Sequence, residues 1–352
     1  MPEIKTGNNP GRDRSMDALR TAAILAVILI HTTSRTIESV YMNLPKVPLS
    51  LFLNQICRFA VPLFFLISGF VLELSYRDDT GYFTYLKKRA GKILIPYIFW
   101  SLIYYHFVYT RHDMGFLQTL IGGNSSYQLY FIPPLLLLYL IFPLLHKFYR
   151  WISKWWVLAI LAGAEAWLLH ADYYRHAIVM LDPLRIAVLN YLFFVLGMVA
   201  CHQTDRILTI VRRLKYVWPV ITLALAGYIF YEGRSRYLTS WNYIDFYSQW
   251  RPSIAVYTLL LFAGGYYWFT NLKSKENILT KLSGQSFFVF FVHVWVLEII
   301  WKLFVKYLFV GSPAPIVTQV WFDPLFFTLT AMISFSAAYL VHKIPWLPKL
   351  TG

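Results

Sequence analysis

Long runs of apolar residues follow one another from end to end of this 352-residue chain. Each run is close to the length that an α-helix needs to cross a bilayer, where only helices and closed barrels satisfy the backbone polar groups. Hydrophobic residues make up 58% of the sequence and charged residues only 14%, which is typical of a polytopic membrane protein and excludes an ordinary soluble domain. The sequence therefore predicts an all-α fold of about ten transmembrane helices. They cover approximately residues 18–37, 51–75, 93–110, 128–145, 155–170, 184–201, 217–231, 252–270, 285–305 and 322–342.

Lys and Arg are concentrated in alternate connections between these helices, and the positive-inside rule assigns such connections to the cytoplasm. Because the predicted number of spans is even, we predict that both termini are cytoplasmic, with residues 1–16 as a short cytoplasmic segment. The formal net charge of +15 then belongs mostly to the inner surface, where it attracts anionic membrane lipid. No recognised nucleic-acid module accompanies the charge, so nucleic acid is not an expected partner. We predict one membrane domain over residues 1–352, without a separate soluble domain.

Two ionisable residues, Arg20 and His31, lie on the first apolar helix. Their separation of eleven residues is nearly a whole number of turns, so both side chains project from one face, with about 16 Å of axial rise between them. Ionisable groups inside a membrane are costly and usually mark a substrate path or proton chemistry. Structural alternatives stay open: His31 as a packing residue, Arg20 as an anchor at the membrane edge, and Asp17 as a helix cap rather than the residue that orients Arg20.

Three segments occur in an order that resembles the opening of the membrane acyltransferase-3 family. They are Asp17-Ala-Leu-Arg20 with His31, the run Val61 to Phe70 with Ser68-Gly69, and the run Lys87 to Tyr97 with Lys88, Arg89 and Lys92. Later segments at Leu129 to Pro133, Phe193 to Gly197 and Gly284 to His293 are similar to further landmarks of this family. The resemblance extends over nearly the whole chain. One departure is Lys92, which stands where the family has a second Arg and which loses planar, bidentate recognition of phosphate.

The resemblance implies ten membrane helices and transfer of an acyl group, usually acetyl, from cytoplasmic acyl-coenzyme A to a glycan, a lipid-linked sugar or a related cell-envelope acceptor. Such a donor carries phosphates at one end and its reactive carbonyl on a long arm. It therefore needs cations at the membrane surface and a base or nucleophile deeper inside. Arg89, Lys92 and Lys88 are the candidates for holding acetyl-CoA, and the positive-inside rule alone also explains this basic run. The location expected from the resemblance is a bacterial plasma membrane.

His31 is the candidate catalytic residue, assisted by Arg20 and Asp17, because an imidazole accepts and returns protons near neutrality. The sequence does not separate a base from a transient acyl carrier. Ser68 is a further candidate for the donor site, although small residues in membrane helices normally serve close packing.

Two further residues are candidates for the catalytic site. Glu73 lies one turn after Gly69, where it can orient a histidine, pair with a base such as Arg58, or face cytoplasmic water. His293 follows Ser286 by seven residues and hence lies on the same face of the ninth helix. It is either a secondary site residue or a core histidine.

The longest predicted outer loop, at about residues 232–251, mixes aromatic and charged residues that suit sugar rings and an anionic carrier or polymer. Its members are Arg234, Arg236, Tyr237, Trp241, Tyr243, Asp245, Tyr247 and Trp250. A loop bound to the membrane interface has the same composition. If the donor binds inside and the acceptor outside, the acyl group must cross most of the membrane near His31.

The main competing function is a transporter or flippase of a lipid-linked oligosaccharide, because charged residues within the apolar runs also suit a substrate path. These residues are Arg58, Glu165, Arg185, Glu298 and Lys302. A sensor that has kept the fold and lost catalysis is a third possibility, for which Lys92 is the only hint.

Neither a metal nor a disulfide is expected, because the nine histidines are scattered and the two cysteines lie at different predicted depths. The acceptor, the acyl chain and the oligomeric state are not determined by the sequence.

Overall fold

A computed structural model describes residues 13–40, 46–109, 114–240, 246–271, 277–309 and 311–352. These residues form helices, and no strand occurs in the ranges described. The helices are α1 (Arg14–Ser39), α2 (Pro48–Ile56), α3 (Ala60–Ser75), α4 (Tyr82–Ile103), α5 (Phe116–Gly122), α6 (Ile132–Lys147), α7 (Tyr149–Ile152), α8 (Trp155–Arg175), α9 (Asp182–Val188), α10 (Tyr191–His202), α11 (Thr204–Arg213), α12 (Val217–Ser240), α13 (Pro252–Asn271), α14 (Ile278–Leu282), α15 (Ser286–Tyr307), α16 (Ala314–Val317), α17 (Phe322–His342) and α18 (Leu347–Thr351).

Each of the ten predicted segments contains a helix, and the predicted all-α membrane fold is confirmed. Within the described ranges, five helical stretches are long and apolar enough to cross a membrane: Arg14–Ser39, Pro48–Ser75, Leu129–Lys147, Ile278–Tyr307 and Phe322–His342. Two bent pairs, α9 with α10 and α11 with α12, raise this number to seven if each pair is one span. The total of ten spans and the cytoplasmic termini stay predictions, and residues 1–12 of the proposed cytoplasmic segment lie outside the described residues.

Helix α1 packs against α2, α3, α13, α14, α15 and α17, so that it occupies the middle of the bundle. Asp13 caps its first turn by accepting hydrogen bonds from the backbone N–H groups of Ser15 and Met16. This cap explains why the helix begins at Arg14 rather than at the predicted residue 18. Near its other end, the Thr36 hydroxyl donates to Asp323 on α17 at 2.6 Å. The central position of α1 brings both Arg20 and His31 against neighbouring helices.

Helices α3 and α10 cross at two glycines, Gly69 and Gly197. A Cβ atom on Gly69 would lie 2.0 Å from the carbonyl oxygen of Phe194, and a Cβ on Gly197 would lie 2.0 Å from that of Leu66. Only a residue without a side chain permits this approach, which is the close packing that small residues allow in membrane helices. The crossing fixes the helix that carries Ser68 and Glu73.

The predicted outer loop at residues 232–251 is partly wrong, because α12 continues as a helix to Ser240. Trp241, Tyr243 and Asp245 lie outside the described residues. The segment from Phe246 to Arg251 is described and folds back against α2 and α3. In that segment the backbone carbonyls of Phe246 and Tyr247 accept hydrogen bonds from Gln55 and Arg58.

Candidate active site

A cavity of about 850 Å³ lies around His31, at the end of the bundle where α1 finishes. Its wall comes from α1, α3, α5, α9 and α15, from the segment after α4, and from the residues just before α3, α6 and α13. The residues that line it are Val27, Ile30, His31, Ser34, Arg35, Glu38, Arg58, Val61, Phe64, Val108, Tyr109, Gly122, Asn124, Tyr127, Gln128, Tyr130, Phe131, Asp182, Arg185, Ile186, Tyr247, Ser248, Gln249, Trp250, Phe290, Glu298 and Lys302. We call this space the His31 cavity.

His31 is partly exposed to this cavity and packs between two rings. The Tyr127 ring centroid is 4.7 Å from that of the imidazole, and the His293 ring is stacked on it at 5.4 Å. Tyr127 is 43% exposed, and it lines the cavity beside His31. The sequence indicated both histidines as candidate site residues, whereas Tyr127 was not among the candidates.

His293 is completely buried behind His31. Its Nδ1 donates a hydrogen bond to the carbonyl oxygen of Val289 at 2.9 Å, which leaves Nε2 with a lone pair in the neutral imidazole. That Nε2 has no hydrogen-bond partner among the described residues. A buried nitrogen without a hydrogen-bond partner lowers the stability of the fold. This nitrogen belongs to the ring that is stacked on His31.

Most of the charges in the cavity wall form ion pairs with one another. Arg35 donates to Glu298 at 2.7 Å and is 3.8 Å from Glu38. Arg185 makes two bonds to Asp172, of 2.6 and 2.8 Å. These pairs hold the ends of α1, α8, α9 and α15 together around the mouth of the cavity.

Arg58 is a different case, because its guanidinium contacts neutral groups. It donates to the Tyr247 carbonyl oxygen at 2.7 Å and to the side-chain oxygen of Asn54. Its carbon also lies 5.1 Å from the centre of the Tyr247 ring. The signal in the sequence was a charge within the apolar run at residues 51–75, which was interpreted either as a partner of Glu73 or as part of a transport path.

A second polar group lies at the opposite end of α1 and includes Arg20 and Arg89. Arg20 is 3.3 Å from Asp17, one turn earlier on the helix, so Asp17 does orient it. Arg89 donates to the Ser75 hydroxyl at 2.9 Å and lies over the Tyr85 ring. The Tyr139 hydroxyl lies beside Ser68 and within electrostatic range of both arginines. We call Arg20, Arg89, Ser68 and Tyr139 the basic cluster.

Lys88 and Lys92 flank this cluster on α4, and both side chains are exposed. They are free to approach a polyanion, whereas Arg89 is held by Ser75 on α3. The sequence therefore predicted the composition of the cluster, while Tyr139 was not found because it stands in the uniformly apolar run of α6.

The basic cluster and the His31 cavity are separate along the bundle. No residue of the cluster belongs to the lining of the cavity. Apolar side chains of Val27, Phe64, Phe131 and Phe290 also line the cavity.

Glu73, predicted as a catalytic candidate, does not lie in the His31 cavity. Its buried carboxylate accepts hydrogen bonds from His146 at 3.0 Å and from His202 at 2.8 Å, which joins α3 to α6 and α10. His146 also contacts Asp78 at 2.8 Å. The expectation that Glu73 orients a histidine was sound, but the histidines are others than His31, and their positions on distant helices gave no signal in the sequence.

Among the described residues, no group of three or more His, Cys, Asp or Glu side chains is arranged to hold a metal ion. Cys57 and Cys201 are buried free thiols.

Comparison with known proteins gives one match. The sequence profile of the acyltransferase-3 family, described as an acyltransferase domain, matches residues 13–343. The matched region contains the His31 cavity, the basic cluster and the Glu73 group. No curated protein and no solved structure matches the chain.

Proposed function

Since this chain belongs to the acyltransferase-3 family, we propose that it is a membrane enzyme that transfers an acetyl group from acetyl-CoA to an acceptor hydroxyl. The proposed acceptor is a glycan, a lipid-linked sugar or a related component of the cell envelope. The observation that carries the proposal is the position of His31 in the wall of a large cavity, on the same helix that presents Arg20 to the basic cluster.

The basic cluster is the proposed binding site for the phosphates of the donor. Arg89 is pre-oriented by Ser75 and Tyr85, so it loses little side-chain freedom when it binds an anion. Lys88 and Lys92 supply further positive charge at the same end of α4. Arg20 adds a cation that is only partly neutralised by Asp17, because its side chain is 30% exposed.

In the simplest route, His31 acts as a general base. The imidazole takes the proton of the acceptor hydroxyl while the hydroxyl oxygen attacks the carbonyl carbon of the thioester. The carbon–sulfur bond breaks, and the coenzyme A thiolate takes up the proton, so that the products are an oxygen ester and free coenzyme A. Tyr127 and His293, which contact the imidazole ring, hold its orientation during this exchange.

In the second route, His31 carries the acyl group. An imidazole nitrogen attacks the thioester carbonyl, and coenzyme A leaves as a thiol that takes the imidazole proton. The acceptor hydroxyl then attacks the acylimidazole, the carbon–nitrogen bond breaks, and the hydroxyl proton returns to the imidazole. The acyl group thus moves from the donor site to the acceptor site in two stages. This route suits the apolar part of the cavity lining, because an acetyl group without its nucleotide is small and uncharged.

A bacterial plasma membrane is the proposed location, with the basic cluster at the cytoplasmic leaflet. The concentration of Lys and Arg in alternate connections supports this orientation. The cavity then faces the outer side, where an envelope polymer is modified.

Purified full-length protein in lipid nanodiscs, with [14C]acetyl-CoA and a cell-envelope glycan fraction, tests the proposal. Wild type is expected to form labelled ester, and His31→Ala to lose at least about a hundredfold in rate, as for other general bases. His170→Ala is the matched control, because His170 is exposed and does not line the cavity. Full transfer by His31→Ala contradicts the proposal. Label found on His31 after a quench without acceptor selects the second route.

A transporter or flippase of a lipid-linked oligosaccharide is the second candidate. It is favoured by the fact that Arg58, Arg185, Glu298 and Lys302 line the cavity, although Glu165 does not. Transport requires no acyl donor, so the absence of acetyl-CoA binding to the purified protein would select it.

A further inference from the structure

We propose that the His31 cavity binds an acidic acceptor, and that Arg58 and Tyr130 together hold its carboxylate or phosphate. The inference rests on the proposed function only in naming the bound molecule as the acyl acceptor. The anion site itself follows from the donors that the cavity wall leaves without a charged partner.

Arg58 is 6% exposed, yet its partners are the Tyr247 carbonyl and the Asn54 side-chain oxygen rather than a carboxylate. Its Nε has no hydrogen-bond partner in the part of the chain that the structure describes. A guanidinium in such a setting loses its hydration without gaining an opposite charge, which is costly. A bound anion would supply that charge.

The other arginines in or next to the cavity wall each have a carboxylate partner. Arg35 is paired with Glu298, Arg185 with Asp172, and Arg251 lies 3.8 Å from Glu232. Their charges are thus neutralised within the protein. Arg58 is the buried cation of the cavity wall that is left for a ligand, considering the described residues.

Tyr130 supplies a second donor beside it. Its hydroxyl oxygen accepts a hydrogen bond from the Gln249 side-chain nitrogen at 2.7 Å, so the hydroxyl hydrogen is available to donate. Tyr130 lies within electrostatic range of Arg58, and both residues line the cavity. Arg58 and Tyr130 thus offer two adjacent hydrogen-bond donors without a nearby carboxylate. Such a site binds a hydrogen-bond acceptor, and it binds a negatively charged one most strongly.

Arg58 is also within electrostatic range of His31. An anion held by Arg58 therefore fixes the acceptor close to the imidazole, where a neighbouring hydroxyl of the same molecule meets the acyl group. The Tyr247 and Trp250 rings, in the same wall, suit the faces of sugar rings. The predicted acceptor class is a glycan that contains a sugar acid or a phosphate substituent.

Binding of two matched probes tests the site without any acyl donor. The probes are p-nitrophenyl β-D-glucuronide and p-nitrophenyl β-D-glucoside, which differ only in a carboxylate or a hydroxymethyl group on the sugar ring. Their dissociation constants are measured by calorimetry on the full-length protein in nanodiscs. Wild type is expected to prefer the glucuronide by about tenfold, the value of one charge-assisted hydrogen bond. Inorganic phosphate is expected to compete with the glucuronide and not with the glucoside.

Arg58→Gln is expected to abolish the preference for the glucuronide while it still binds the glucoside. Tyr130→Phe is expected to reduce the preference about threefold. Arg58→Lys, which keeps the charge, is expected to preserve most of it and shows that loss in Arg58→Gln is not misfolding. Lys306→Gln is the charge-matched control, because Lys306 is exposed and lies outside the cavity.

Equal binding of the two probes by wild type overturns the proposal, and so does an unchanged preference in Arg58→Gln. If Arg58→Gln and Arg58→Lys both fail to bind either probe, the role of Arg58 is structural and the proposal is overturned. Because none of these measurements uses acetyl-CoA, failure of the anion site is distinguishable from failure of acyl transfer.

Discussion

Substitution of Gly69 by Ala tests whether the close crossing of α3 and α10 supports the site. The added Cβ would lie 2.0 Å from the Phe194 carbonyl oxygen, about 1.4 Å nearer than the lower limit of ordinary contact. That oxygen belongs to the backbone of α10 and cannot rotate away, so the two helices must move apart. Overpacking of this kind costs about 1–3 kcal/mol. We expect the midpoint of thermal unfolding to fall by about 2–6 °C.

The measurement is thermal unfolding of the purified protein in one detergent, with Gly227→Ala as the control. Gly227 is also helical, and a Cβ at that position meets nothing within 4 Å. Removal of a glycine from a helix interior stabilises it by about 0.5–1 kcal/mol, so the control is expected to match or exceed wild type. Equal stability of the two variants would refute the argument that the crossing requires a glycine. Gly197→Ala, on the facing helix, is expected to behave as Gly69→Ala does.

Three further predictions concern the polar groups. Arg89→Ala is expected to raise the KM for acetyl-CoA by about ten- to a hundredfold with little change in kcat, and the exposed Lys92→Ala to raise it less; equal effects would remove the special role of Arg89. Glu73→Gln is expected to lower the free energy of unfolding by about 1–3 kcal/mol, because a carboxylate that accepts from two histidines is lost, while kcat per folded molecule is retained. A large loss of kcat in that variant would indicate that Glu73 takes part in catalysis. Tyr127→Phe is expected to keep most of the activity and Tyr127→Ala to lose about tenfold or more, because the ring packs on His31. Steady-state kinetics measure the difference, and equal activity of the two variants would contradict a packing role.

The sequence predicted the helices well because apolar runs of bilayer length leave few alternatives. It failed at the ends of helices, where local contacts decide. The Asp13 cap extends α1 at its start, and α12 continues into a polar segment that composition alone assigned to a loop.

At the site, the spacing of residues in the sequence predicted which side chains share a face of one helix. It did not predict contacts between side chains on different helices. Arg20 and His31 share a face of α1, and the structure keeps them at opposite ends of that helix. The stacking of His293 on His31 was not contained in any spacing, because it depends on how α15 packs against α1. The same limit explains why the sequence did not identify His146 and His202 as the histidines that Glu73 contacts.

Transfer across sealed proteoliposomes tests the central claim most directly. The protein is reconstituted with [14C]acetyl-CoA outside and, inside, an impermeant glycan that is active as an acceptor with detergent-solubilised enzyme. If acyl groups enter at the basic cluster and leave at the His31 cavity, wild type labels the enclosed glycan and His31→Ala does not. With donor and acceptor confined to the same outer compartment, no label is expected whichever way the molecules are inserted. Efficient labelling in that arrangement would contradict the account, because it would mean that donor and acceptor meet at one end of the bundle.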